Sequence, residues 1–128
     1  MEEQTIKPVV MIGAGPSALA AAIYTTREDI DTTLYEKGVV GGLAAITDKV
    51  DNYPGFPEGI EGMTLADQLQ KQAERFGAHI EYGDVSALRY ADGITTLTID
   101  GKDVRARSVL VATGSDYNKL GILGEAEY

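Results

Sequence analysis

The sequence predicts an α/β domain: a parallel sheet with helices on both faces and a three-stranded antiparallel β-meander. Three observations predict it. Strand and helix signals alternate as β-α-β near the N-terminus, which favours a parallel sheet. Val9-Val10-Met11-Ile12 and Ser108-Val109-Leu110-Val111-Ala112 are apolar nearly throughout, as in central strands covered on both faces. Asp92-Gly93 and Asp100-Gly101 sit between β-rich runs at hairpin spacing, and such turns need positive φ.

The elements follow in order. Val9–Ile12 is the first strand, and a glycine turn leads into a small-residue helix from about Ser17 to Arg27. Thr32-Thr33-Leu34-Tyr35-Glu36 is the second strand, β-branched at its start and acidic at its end. Residues 38–62 are rich in Gly and Pro and read as a long loop, a length that is usually functional inside a compact domain. Thr64 with Asp67 fits a capping box, and Gly77 fits a C′ stop. Between them Leu65, Leu69, Ala73 and Phe76 form an apolar stripe at helical spacing. A strand follows at His79–Tyr82. The meander comprises Val85–Tyr90, Thr95–Ile99 and Val104–Arg107, and Ser108–Ala112 is the last strand. The tail Ser115–Tyr128 is irregular. The whole chain, 1–128, reads as one partial domain, with about 115–128 as a crossover tail.

Composition narrows the function classes. The chain has 128 residues and no Cys, so these residues hold no disulfide framework, thiolate metal site or redox dithiol. Eleven Lys+Arg against twenty Asp+Glu give a net charge of −9, which disfavours nucleic acid and anionic membrane surfaces. The apolar runs fall far short of the roughly 18–20 residues of a membrane span. Met1-Glu2-Glu3-Gln4 is wrong for a targeting peptide, and a cytoplasmic protein is expected.

One motif carries chemistry. Gly13-Ala14-Gly15-Pro16-Ser17-Ala18 fits G-x-G-x-x-G/A between a strand and a helix, and Glu36 ends the next strand 23 residues after Gly13. Gly13 permits the tight turn, Gly15 lets backbone approach a pyrophosphate, and Ala18 allows close helix–strand packing. Free N–H groups and the positive helix end face the phosphates, and Pro16 at the helix start removes no needed donor. A carboxylate at Glu36 accepts from both ribose hydroxyls and repels a 2′-phosphate, so the unit is Rossmann-like and NADP is disfavoured here. The fingerprint alone does not choose between FAD and NAD.

The chain as a whole resembles the thioredoxin-reductase-like flavoproteins of the pyridine nucleotide-disulphide oxidoreductases. The resemblance rests on the fingerprint with Glu36, Gly41-Gly42, Asp51-Asn52-Tyr53-Pro54-Gly55-Phe56, Ala112-Thr113-Gly114-Ser115 and Leu120-Gly121-Ile122-Leu123-Gly124-Glu125, in that order. It implies an FAD-binding domain. The residues expected to meet FAD are Gly13, Gly15, Pro16, Ser17, Glu36, Lys37, Gly42, Leu43, Asn52, Val85, Ala112, Thr113 and Gly114. Among these, Glu36 takes the ribose, Asn52 the flavin side and Val85 the adenine. Leu43 departs from the family, which often has Gln there, and Leu123 stands where Pro is usual. Complete members carry NADPH and dithiol sites in a second domain and close the FAD domain with a later segment; none of these is expected in this chain. Two functions follow as alternatives. One is the FAD-binding part of a reductase that passes electrons from NADPH through FAD to a disulfide, catalytically incomplete alone. The other is a dinucleotide-binding module that forms a homo-oligomer through an unfinished sheet edge, with strand swapping as one route. His79, the single His, reads as surface or packing rather than acid–base or metal chemistry. Tyr53 is placed either beside a flavin or in simple loop packing.

Overall fold

The computed structural model describes residues 5–115; the C-terminal part of the tail, including Leu120–Glu125, lies outside them. The elements are β1 (Ile6–Ile12), α1 (Pro16–Arg27), β2 (Thr32–Glu36), α2 (Gly42–Ala45), β3 (Lys49–Val50), β4 (Ile60–Glu61), α3 (Gly62–Arg75), β5 (His79–Tyr82), β6 (Val85–Ala91), β7 (Ile94–Ile99) and β8 (Lys102–Val111).

A 6-stranded sheet has the order β5-β2-β1-β8-β7-β6. The pairs β5–β2, β2–β1 and β1–β8 are parallel, while β8–β7 and β7–β6 are antiparallel. The α/β class with a parallel sheet and a meander is therefore present. The two strands expected at Val104–Arg107 and Ser108–Ala112 are one strand, which pairs first with β7 and then with β1; neither Gly nor Pro interrupts it. β8 thus runs out of the meander into the centre of the parallel sheet.

Among the described residues, α1 and α3 cover the same face. Met11 and Leu34 pack there against Ala18, Leu19, Ala22, Leu65, Leu69 and Ala73. The other face carries Val10, Tyr35, Leu97, Ile99 and Ala106. On that face the meander supplies the covering layer among the described residues. Its alternating Leu97 and Ile99 provide the apolar side chains that a helix stripe would otherwise bring.

Local sequence explains both long helices. In α1 the buried Ala18 and Ala22 are one turn apart, so helix and sheet approach closely. α3 buries Leu65, Ala66, Leu69 and Ala73 along one stripe. It ends in a Schellman motif, with Gly77 at φ 104°. Gly77 N–H donates to Glu74 O at 3.0 Å, and Ala78 N–H to Ala73 O at 3.1 Å. The expected Thr64–Asp67 capping box is absent: α3 starts three residues earlier, with Glu61 as N-cap and no side-chain cap bond. Gly62 lies against the carbonyls of Ala44 and Thr47, where a Cβ has no room. The long loop also has structure of its own, namely α2 and a two-stranded β3–β4 ribbon.

Candidate functional site

The C-terminal ends of β1, β2 and β8 lie side by side and place the fingerprint turn between them. Gly13 N–H donates to Tyr35 O at 2.8 Å and Ala112 N–H to Ile12 O at 3.0 Å, so the turn is tied to both neighbouring strands. Gly13 has φ 107°, and a Cβ there collides with the Ala112 carbonyl. The first glycine is thus required by conformation and by its neighbour together. Gly15 has an ordinary φ of −80° and serves as N-cap of α1, with Pro16 opening the helix. It faces Gly42 at van der Waals distance: a Cβ on Gly15 would stand 4.0 Å from Gly42 Cα, and a Cβ on Gly42 would stand 3.4 Å from Gly15 Cα. Gly41 N–H donates to Ala14 O at 2.7 Å, which fixes the start of α2 against the turn.

Glu36 ties this arrangement together. Its Oε1 accepts from Ala14 N–H at 2.9 Å and its Oε2 from Gly38 N–H at 2.8 Å. Two charge-assisted bonds hold the carboxylate in one orientation. It faces two adjoining cavities. One, of about 740 Å³, is lined by Gly15, Ser17, Glu36, Lys37, Gly38, Val39, Gly42, Leu43, Ile46 and Ala112–Ser115. The other, of about 90 Å³, is lined by Ile12, Gly13, Tyr35, Glu36, Lys37, Gly83, Asp84, Val85 and Thr113. Glu36, Lys37 and Thr113 border both. The Tyr35 phenol is raised above its ordinary pKa, first by burial and then by the Glu81 carboxylate. Tyr35 therefore stays neutral beside the smaller cavity at physiological pH.

Most of the expected residues meet here. Gly15, Ser17, Glu36, Lys37, Gly42, Leu43, Ala112, Thr113 and Gly114 line the larger cavity, and Gly13 and Val85 the smaller. Pro16 touches neither lining but sets the start of α1. Asn52 is not brought in: it is exposed and borders a separate hollow with Tyr53, Pro54 and Phe56. Tyr53 packs with Phe56, ring centroids 6.3 Å apart, against the helix-side core, which is the loop-packing reading. His79 is exposed, with Nε2 3.6 Å from Asp31 Oδ1. No cluster of three potential metal ligands exists among the described residues.

Sequence reading missed Gly83, Asp84 and Ile46. Gly83 is the most telling: it is buried, and a Cβ would stand 2.7 Å from Ile99 Cγ2 and 3.3 Å from Tyr35 Cδ1. The available signal was a glycine at the junction of two β-rich runs, a mark of close backbone approach.

A parallel sheet with a glycine-rich turn at a helix N-terminus and an acid at the next strand end defines a dinucleotide-binding domain. The chain belongs to the pyridine nucleotide-disulphide oxidoreductase family, whose sequence pattern matches residues 7–128. It is 42% identical over 125 residues to a thioredoxin reductase of Listeria monocytogenes, covering 98% of this chain and 39% of that protein. It is 39% identical to a thioredoxin reductase of Bacillus subtilis, covering 99% of this chain and 40% of that protein. The fold matches Lactococcus lactis thioredoxin reductase with TM-score 0.87 at 35% identity, covering 95% of this chain and 40% of that one. T. acidophilum thioredoxin reductase matches with TM-score 0.84 at 32% identity, covering 94% of this chain and 39% of that one. The chain thus spans about two-fifths of the length of these relatives. Family membership implies a flavin cofactor. No helix among the described residues is long and apolar enough to cross a membrane.

Proposed function

We propose that this chain binds FAD through its adenosine and pyrophosphate, as the FAD-binding part of a thioredoxin-reductase-like oxidoreductase. The carrying observation is the Glu36 carboxylate, held by Ala14 and Gly38 N–H groups where the two cavities join. The residues fit the cofactor. Gly13 and Gly15 keep two positions of the turn before α1 free of side chains, and Gly83 and Val85 border a small cavity beside Glu36. In this reading the α1 N-terminus faces the pyrophosphate, Glu36 accepts from the ribose hydroxyls, and the Val85 backbone meets the adenine. Leu43, Ile46 and Val39 offer an apolar wall toward the flavin, and Asn52 reaches the flavin only if its loop moves. FAD, when bound, supplies the redox chemistry; the chain binds and orients it.

The complete reaction of this reading takes hydride from NADPH to FAD and electrons on to a disulfide. These 128 residues contain no Cys and hence no dithiol, so the chain alone is expected to be inactive in that cycle. Self-association belongs to the same reading. β7 pairs β8 only over Lys102–Ala106, so Arg107–Val111 has β1 on one side and an open edge on the other among the described residues. Leu110 and Val111 are 40% and 61% exposed along that stretch, and such an edge favours strand addition. The proposed setting is the cytoplasm.

The test is the visible spectrum of the purified chain after incubation with FAD and gel filtration, with light scattering on the same column. Co-eluting flavin bands in fixed ratio support the reading, and flavin-free protein refutes it. A monomeric peak refutes the self-association.

A further inference from the structure

The two Asp-Gly turns have the same sequence and nearly the same backbone, yet different surroundings. Asp92 and Asp100 adopt φ 54° and 48°, and Gly93 and Gly101 follow at 77° and 80°. A Cβ on either glycine would meet nothing within 4 Å, so neither glycine is crowded by other parts of the fold.

The carboxylates differ. Asp100 Oδ1 accepts from Asp84 N–H at 3.2 Å, and Asp100 N–H donates to Asp84 O at 3.2 Å. One carboxylate oxygen is thereby held at the β5–β6 junction. Asp92 is exposed, and its carboxylate has no hydrogen bond or ion pair among the described residues. It sits at the tip of edge strand β6, whose residues from Ser86 to Ala91 are all exposed. Few buried contacts hold that tip closed, so it samples open conformations more often than the Asp100 turn.

We propose that Asp92 is a site of spontaneous aspartate isomerisation and that the Asp84 backbone protects Asp100 from it. The Gly93 amide nitrogen attacks Cγ of Asp92, forming a C–N bond. The amide proton and the hydroxyl of the protonated Asp92 carboxyl leave as water, closing a succinimide. Water then opens the ring at either carbonyl and gives aspartate or isoaspartate, with no net change of mass and no oxidant. The placement spares the site. Gly83, Asp84 and Val85 line the smaller cavity, so an extra backbone atom at Asp100 would disturb it, whereas Asp92 lies at the far end of β6.

The intact chain is aged at neutral pH and body temperature and digested under mildly acidic conditions. Isoaspartate is then located by electron-transfer fragmentation. Isoaspartate at Asp92 is expected to accumulate about tenfold faster than at Asp100, the factor that one hydrogen bond supplies. In urea the two rates converge, and Asp92→Glu removes the first product. Equal rates in the folded chain, faster reaction at Asp100, no reaction at Asp92, or a difference that persists in urea would each overturn the proposal.

Discussion

Gly13 and Gly93 both have positive φ in tight turns, but for reasons that differ in kind. At Gly13 a side chain collides with the Ala112 carbonyl just past the end of β8, nearly a hundred residues away. At Gly93 a side chain meets nothing within 4 Å, and only the left-handed backbone asks for glycine. The first turn is built by tertiary packing of three strand ends and belongs to the site. The second is a local hairpin device at the sheet edge. A positive φ therefore does not show by itself what a glycine is for; the atoms around it do.

The largest effect that separates the two is expected from Gly13→Ala. It combines left-handed strain with overpacking against backbone, for a loss of about 3 kcal/mol or more and loss of FAD retention. Urea unfolding and flavin co-elution measure both. Retained flavin at wild-type stability would break the comparison. Leu34→Ala, fully buried under the helices, is expected to cost about 2–5 kcal/mol in the same unfolding experiment.

Glu36→Ala comes next. It leaves the Ala14 and Gly38 N–H groups and the ribose hydroxyls without an acceptor, and FAD binding is expected to weaken by about 1–3 kcal/mol by calorimetry. ADP should weaken equally, and unchanged binding of both removes Glu36 from the site. Gly93→Ala carries strain alone and should cost about 1–2 kcal/mol, with FAD binding unaffected. A larger cost there than for Gly13→Ala would reverse the comparison.

The smallest effect concerns pH. Because the Tyr35 phenol is raised in the folded chain, the unfolded chain releases its proton first as pH climbs past the ordinary value of about 10. Stability is then full below that value and declines above it. Thermal melts should fall less steeply with alkaline pH in Tyr35→Phe than in wild type; identical slopes would contradict the shift.

Much of this fold is legible from residues close in sequence. The strand Val9–Ile12, the fingerprint, Glu36, the Gly77 stop and both Asp-Gly hairpins follow from short-range rules: which residue tolerates which φ, and which spacing buries one face. The failures share a cause. The start of α3 is set by Ala44 and Thr47 carbonyls packing on Gly62, not by the Thr64 hydroxyl. β8 is one strand because it pairs with β1 and β7 in succession. Asn52 lies in the expected motif, but its loop packs through Tyr53 and Phe56 onto the helix-side core and leaves it outside the cavities.

The sequence by itself thus determined most of the longer elements and the chemistry available at the dinucleotide turn, since local backbone preference and side-chain type are properties of the chain. Only the tertiary structure decided which face the helices cover, that Gly83 borders the site, and that the Glu36 carboxylate is anchored by two backbone amides. Those are contacts between distant residues, and packing and hydrogen-bond satisfaction select them only once the strands lie side by side.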